Sequence, residues 1–269
     1  MTRAAAVLIV LVSILGSARA EPAAPPVAIA DLVRQMTPVT VTTEDPVYKR
    51  SKSYVGYPLA AVLRAAWPDV DRWAEEGAEL VLTAVDGYAP SMDLARALNH
   101  NGIVAFREAD RPENDPWEPF AKGRSMLTPD PYYLVWTGIA ADDPHFRWPY
   151  KLATVSVTSF DARYGGAAPP ARANPQVQRG FRVFVQNCMP CHSVNLIGGN
   201  TGPELNVPKN ITEYWSTRHI AAFIAAPESY RLRSKMPSFA TLPEADRTAA
   251  VAYLSAMKTR KSCGEGKPC

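Results

Sequence analysis

The sequence predicts a two-domain protein, in which a strand-rich α+β domain precedes an all-α domain. The 269 residues suffice for two modest domains, and 47% hydrophobic with 20% charged residues is typical of globular proteins. Alternating, β-branched segments dominate before residue 165, whereas helical patterns dominate after residue 176. The stretch between them begins Gly165-Gly166-Ala167-Ala168-Pro169-Pro170, which favours a linker over residues 165–176.

The first twenty residues have the pattern of a signal peptide. Arg3 precedes an apolar segment from Ala4 to Leu15, which is short for a bilayer span, and Ala18-Arg19-Ala20 is a small-x-small cleavage site. We therefore predict a signal peptide over 1–20, a mature chain that starts at Glu21, and export to the periplasm without a transmembrane span. An uncleaved membrane anchor is the alternative.

The predicted N-terminal domain covers residues 21–164. Its predicted strands are 38–43, 79–85, 102–106, 132–136 and 152–160, and its predicted helices are 58–66 and 91–98. The second domain, 177–269, has predicted helices at 177–187, 212–226 and 244–258. Residues 21–174 carry 15 basic and 20 acidic side chains, whereas 175–269 carry 12 and 6. These opposite charges fit docking between proteins or domains, and the basic excess is too small to indicate nucleic-acid binding.

Cys188-Met189-Pro190-Cys191-His192 is the strongest motif in the chain. Two thiols at this spacing reach the two vinyl groups of one haem and form thioethers, and the adjacent His192 then faces the iron. A thioredoxin-like redox pair needs a βαβ unit, and a zinc site needs more ligands nearby; the sequence offers neither. We predict one covalent haem c, with Cys188 and Cys191 attached and His192 as an axial ligand.

The residues around this motif resemble class I cytochromes c. Gly180 and Phe184 have the spacing of that family's first helix, and Tyr253-Leu254 has that of the last helix, which crosses it. Gly202-Pro203 follows the motif as in the family, and the resemblance implies that the Pro203 carbonyl orients His192. Lys235-Met236-Pro237 resembles the distal methionine loop, which implies Met236 as the second axial ligand of the iron. His219 is the competing ligand.

With both axial positions filled, the iron carries electrons and does not bind substrate. Arg231, Arg233 and Lys235 precede Met236; they form either a solvated charge run or a docking surface for an acidic partner. We expect a redox partner protein, such as a dehydrogenase or oxidase. Cys263 and Cys269 are left over, and in an oxidising compartment a local disulfide is the simplest account.

The N-terminal domain resembles, in Tyr54–Leu59 and Thr83–Tyr88, the molybdopterin-binding domain of sulfite-oxidase-like proteins. That family binds molybdenum through a cysteine, and residues 21–174 contain none. The leading hypothesis is therefore a periplasmic electron-transfer protein whose N-terminal domain recognises a partner. The alternative is a haem-containing oxidoreductase, in which that domain binds a substrate or a pterin-like cofactor and passes electrons to the haem.

Overall fold

The structure, a computed structural model, describes residues 23–122, 125–143 and 145–263. The predicted signal peptide lies outside these residues. The strands are β1 Ala24–Ala28, β2 Val39–Asp45, β3 Arg50–Pro58, β4 Glu79–Ala84, β5 Ser91–Asp93, β6 Gly102–Glu108, β7 Phe120–Lys122, β8 Ser125–Leu127, β9 Tyr132–Trp136, β10 Tyr150–Thr158, β11 Ser193–Val194 and β12 Ile197–Gly198. The α-helices are α1 Ile29–Leu32, α2 Leu59–Ala66, α3 Val70–Glu75, α4 Leu94–Asn99, α5 Phe160–Tyr164, α6 Pro175–Asn187, α7 Thr217–Ala225, α8 Pro227–Tyr230 and α9 Glu244–Met257.

One antiparallel sheet organises the N-terminal region. Its strand order is β2-β3-β6-β9-β10-β4-β5, and β1 pairs with β10. Side chains alternate between its two faces as the period of a strand requires. Val104 and Leu134 pack into the large core beneath helices α1 to α4, whereas Ile103 and Val135 join an aromatic cluster on the other face. The prediction of a strand-rich first domain with helices agrees with this sheet.

Two helices frame the C-terminal region. Asn174 caps α6 through its side chain, and Pro175 stands in the first turn, where a missing N–H costs nothing. Helices α6 and α9 cross at Gly180, where an added methyl group would overlap the carbonyl oxygen of Ala249. Phe184 packs against Tyr253 across this crossing, with ring centroids 5.2 Å apart. The predicted close crossing at a glycine is therefore confirmed.

The predicted fold class is wrong in its second half, because the C-terminal domain is not all-α. Strands β11 and β12 form an antiparallel hairpin within it. Asn195 and Leu196 make the connecting turn, and both have positive φ, 57° and 65°. Such a two-residue turn matches the right-handed twist of paired strands, and it usually contains glycine at its second position. Leu196 stands there instead, so the usual sequence signal of a hairpin is missing.

The linker region is packed against its neighbours. Residues Gly165–Ala167 form a 3₁₀ turn directly after α5, and Ala167 is fully buried. The Tyr253 hydroxyl donates a hydrogen bond to the Ala167 carbonyl at 2.7 Å. The predicted boundaries at 164 and 176 stay a prediction. The start of this stretch nevertheless packs against helix α9 through the bond from Tyr253 to Ala167. No helix among the described residues has the length and apolarity that a membrane span requires.

Candidate haem site

The Cys-x-x-Cys-His motif begins where α6 ends. The Cys188 N–H donates to the Phe184 carbonyl at 2.8 Å and closes the helix. The N–H groups of Cys191 and His192 then both donate to the Cys188 carbonyl, at 3.0 and 2.9 Å. This tight turn brings both thiols and the imidazole together, and both cysteines are free and half-buried. We call residues 188–192 the haem-attachment turn.

The imidazole of His192 has a defined tautomer. Its Nδ1 lies 2.8 Å from the Pro203 carbonyl oxygen, and a carbonyl can only accept, so Nδ1 carries the proton. Nε2 therefore keeps its lone pair, which is the form that binds a metal. Burial lowers the pKa of His192, which also favours the neutral ring. The hydrogen bond that the resemblance implied is present.

Gly202 completes the support of this ring. A methyl group at residue 202 would lie 2.5 Å from Cε1 and 2.7 Å from Nδ1 of His192, so only glycine lets the chain pass here. The Gly202 N–H donates to the Cys191 carbonyl at 2.7 Å, which ties this segment to the haem-attachment turn. Gly202 therefore limits the position of the imidazole at its face, and the Pro203 carbonyl fixes it at the Nδ1 edge.

Burial favours the protonated form of both thiols. Burial raises the pKa of Cys188 to about 12, with a further contribution from the charge of Cys191. Burial also raises the pKa of Cys191, while Lys122 lowers it and Asp86 raises it. Lys122 and Asp86 belong to the N-terminal region, so that region lies close to the haem-attachment turn.

Met236 lies in the loop between α8 and α9. It is half-buried and packs against the same core cluster as Cys188. Two bonds to the end of α7 anchor the loop: Ser238 Oγ donates to the Ala225 carbonyl at 2.6 Å, and the Phe239 N–H donates to the Ile224 carbonyl at 3.1 Å. The thioether is therefore held at the core that Cys188 also contacts.

The competing histidine has a different environment. His219 lies near the start of α7, with its ring edge-on to Trp215 at 4.7 Å and to Tyr230 at 5.0 Å. It is half-buried within this aromatic group. Arg231, at the end of α8, stacks over Trp215 at 5.6 Å. Arg231, Arg233 and Lys235 are all exposed.

A buried polar network that the sequence did not reveal supports the loop after the motif. The Glu204 carboxylate accepts backbone N–H groups of Asn195, Leu196, Asn206 and Val207 at 2.7–3.1 Å. The side chains of Asn195, Asn206 and Asn210 are buried and bond in series, with both links 2.7 Å long. The repeated asparagines after the motif were the available signal, but only the fold shows that they are buried.

The remaining cysteines and histidines lie apart from this site. Cys263 is disulfide-bonded, and Cys269 lies outside the described residues, so their pairing stays a prediction. His100 and His145 are exposed, and each makes a local hydrogen bond, to Arg96 and Asp143. Within the described ranges, no group of three His, Cys, Asp or Glu residues could hold a metal ion.

Comparison with known proteins defines the class of this site. The family model "Cytochrome C oxidase, cbb3-type, subunit III" matches residues 175–254, which supports a c-type cytochrome domain in this part of the chain. Such a domain carries haem covalently and transfers electrons. Its residues fit the group: two free thiols, a neutral imidazole with Nε2 available, and a half-buried thioether.

A curated relative extends the likeness. The chain is 25% identical over 165 residues to cytochrome c oxidase subunit 2 of Alkalihalophilus pseudofirmus, an alignment that covers 53% of this chain and 47% of the relative. The chain thus spans about half the length of that relative. Neither match is to a sulfite-oxidase-like protein, so the resemblance of the N-terminal region to that family is unsupported.

Proposed function

We propose that this protein is an exported, periplasmic electron-transfer protein with one covalent haem c. The hydrogen bond from His192 Nδ1 to the Pro203 carbonyl carries the proposal, because it orients a neutral imidazole beside two free thiols in a c-type cytochrome domain. The haem supplies a one-electron couple at its iron. Cys188 and Cys191 would hold the haem, His192 would face its iron, and the apolar cluster that contacts Cys188 and Met236 would pack nearby.

Met236 is proposed as the second axial ligand. It is half-buried at the core shared with Cys188, and its loop is anchored by the two bonds to α7. A thioether opposite an imidazole raises the reduction potential and leaves no open position for substrate. The proposed role is therefore electron carriage and not catalysis at the iron.

Export to the periplasm is supported by the signal-peptide pattern of residues 1–20 and by the disulfide at Cys263, since disulfides persist in oxidising compartments. Cell fractionation tests it. Protein found in the periplasmic fraction and starting at Glu21 supports the proposal. Protein retained in the cytoplasm with Met1 intact contradicts it.

Haem attachment is tested with a pyridine haemochrome assay on protein produced with c-type maturation. Wild type should show covalent haem, and the paired change Cys188→Ser with Cys191→Ser should abolish it. Cys263→Ser, which removes a cysteine outside the motif, is the matched control and should keep the haem. Wild-type protein without covalent haem contradicts the proposal.

The partner is proposed to be a redox protein with an acidic surface, and an oxidase is the leading class because of the matched names. Leu232 is 68% exposed and lies between the exposed residues Arg231 and Arg233, and exposed Lys235 follows them. Positive charge and apolar surface therefore occur together in the segment before Met236. The N-terminal domain is proposed to take part in recognising this partner.

Ionic strength tests this docking surface. The rate of electron transfer to an acidic acceptor should fall as salt rises, and Arg233→Gln with Lys235→Gln should lower the rate at low salt. Lys258→Gln is the control. It removes one exposed positive charge at the end of α9 and should change the rate less. A rate that does not depend on salt would remove the docking role.

A second candidate is a haem-containing oxidoreductase whose N-terminal domain binds a small polar ligand. One observation favours it: the indole N–H groups of Trp117 and Trp148 are buried without a hydrogen-bond partner in the described part of the chain. Both lie in the aromatic cluster around Tyr133. Analysis of metal and pterin in protein purified from its natural host separates the two candidates.

A further inference from the structure

A loop of the N-terminal sheet binds the haem-attachment turn directly. This loop, residues 85–90 between β4 and β5, forms three hydrogen bonds with residues beside the proposed haem. The Ala89 N–H donates to the Pro190 carbonyl at 2.8 Å, and Thr201 Oγ donates to the Asp86 carbonyl at 3.0 Å. The Asn200 N–H donates to the Gly87 carbonyl at 3.2 Å. All three use backbone atoms of the loop.

The contact favours glycine at residue 87. Its φ is +82°, a backbone conformation that favours glycine, and a methyl group there would overlap Oδ1 of Asn200. Because the Asn200 side chain is exposed and can turn away, the positive φ is the firm requirement for glycine here, and a larger side chain at residue 87 would press on Asn200. Gly77 has a similar φ of +78° but would meet nothing within 4 Å, so it separates the backbone effect from the contact.

Further bonds hold the loop and the turn in place. The Arg163 guanidinium donates to the Ala89 carbonyl at 2.7 Å, and its Nε donates to the Tyr164 hydroxyl at 2.9 Å. From the N-terminal domain, Arg147 donates to the Gln186 carbonyl at 2.6 Å, close to the end of the helix that leads into Cys188. The N-terminal domain thus contacts the chain before the haem-attachment turn at Gln186, within it at Pro190, and after it at Asn200 and Thr201.

The N-terminal domain also places polar groups near Cys191. Tyr88 in this loop is half-buried, and burial raises its pKa to about 12. Lys122 Nζ donates to the Tyr150 hydroxyl at 2.6 Å, and the charge of Lys122 acts on Cys191. Cys191 would attach the haem through one of its two thioethers, so these polar groups would lie near that point of attachment.

We propose that loop 85–90 is a positioning clamp, through which the N-terminal domain holds the haem-attachment turn and sets the reduction potential of the haem. This inference rests on the proposed function. The potential of a haem depends on its solvent exposure, on the charges near it and on the hydrogen bonds around its ligands. The clamp acts on each of these. It covers the haem-attachment turn, it contributes the charge of Asp86, and it forms a hydrogen bond with Thr201, the residue before Gly202.

The test compares two variants of the clamp with matched controls. Gly87→Val inserts a side chain against Asn200, whereas Gly77→Val imposes the same strained φ away from the turn. Thr201→Val removes only the hydroxyl that donates to Asp86, and Thr259→Val removes a hydroxyl that bonds locally at the end of α9. Midpoint potential, the oxidised absorbance spectrum and covalent haem content are measured for all four variants and wild type.

We expect both clamp variants to keep covalent haem and to change the equilibrium constant for haem reduction at least threefold. This corresponds to about 30 mV at 59 mV per tenfold for one electron. The controls should match wild type. Unchanged potentials in Thr201→Val and Gly87→Val, or equal shifts in Gly77→Val, overturn the inference. Should Gly87→Val not fold, Thr201→Val decides alone. Wild type without covalent haem refutes the proposed function instead.

Discussion

Gly202 lies against the imidazole face of His192, so closely that a methyl group at residue 202 would be 2.5 Å from Cε1 of the ring. The same segment presents the Pro203 carbonyl to Nδ1 at 2.8 Å. One dipeptide therefore controls both the plane and the tautomer of the proposed iron ligand. This relationship explains why residue 202 must be small and why the carbonyl of the next residue must face Nδ1.

Gly202→Ala should displace the imidazole and weaken its bond to iron. We expect less covalent haem per chain and a spectrum that departs from that of a six-coordinate, low-spin haem, because the added methyl group cannot fit beside Nδ1 and Cε1 of His192. Absorbance spectra of oxidised and reduced protein measure this. Gly165→Ala is the control, since its methyl group meets nothing within 4 Å. A wild-type spectrum for Gly202→Ala would contradict the prediction.

Gly180→Ala should destabilise the C-terminal domain by about 1–3 kcal/mol, the usual cost of overpacking. The added methyl group would overlap the Ala249 carbonyl oxygen and lie 2.9 Å from Cβ of Tyr253, so helices α6 and α9 must separate. Denaturant unfolding, followed by haem absorbance, measures the free energy of unfolding. The Gly165→Ala variant serves again for comparison. If Gly180→Ala unfolds at the same midpoint as wild type, the helix crossing is less tight than described.

Met236→Ala should remove the sulfur-to-iron charge-transfer band from the oxidised spectrum and lower the reduction potential. The reason is that a thioether ligand stabilises the reduced iron. Met126→Ala is the control, because Met126 lies in the N-terminal region with 64% of its surface exposed. Redox titration and near-infrared absorbance provide the measurements. Should the band persist, the second ligand would be His219 or another donor.

Lys52→Met should destabilise the N-terminal domain by about 3–5 kcal/mol, the usual effect of breaking a buried ion pair. The Lys52 and Glu108 side chains are 4% and 1% exposed, and they pair directly, so the variant leaves a buried carboxylate without its cation. Arg64→Met is the control, because its ion pair with Asp71 is exposed. Urea unfolding followed by tryptophan fluorescence measures both. Equal midpoints for the two variants would rule out a structural role for the buried pair.

Much of the architecture could be predicted from local patterns. Strand β9 was predicted as 132–136 and is observed as Tyr132–Trp136, because a run of aromatic and β-branched residues specifies a buried strand. Helix α9 was predicted as 244–258 and is observed as Glu244–Met257. The predicted helix 212–226 is instead a 3₁₀ turn at Ile211–Glu213 and helix α7, because the Ser216 side chain caps a new helix by accepting the His219 N–H.

The chemistry of the candidate site could be predicted from the sequence alone. Covalent haem attachment depends on residue types within one turn, so Cys188, Cys191 and His192 could be assigned without a fold. The surroundings of that site become visible only in the folded chain. The β11–β12 hairpin depends on the Glu204 carboxylate, and the clamp joins Thr201 to Asp86 across 115 residues. Such contacts leave no local pattern, because they use backbone atoms that every residue possesses.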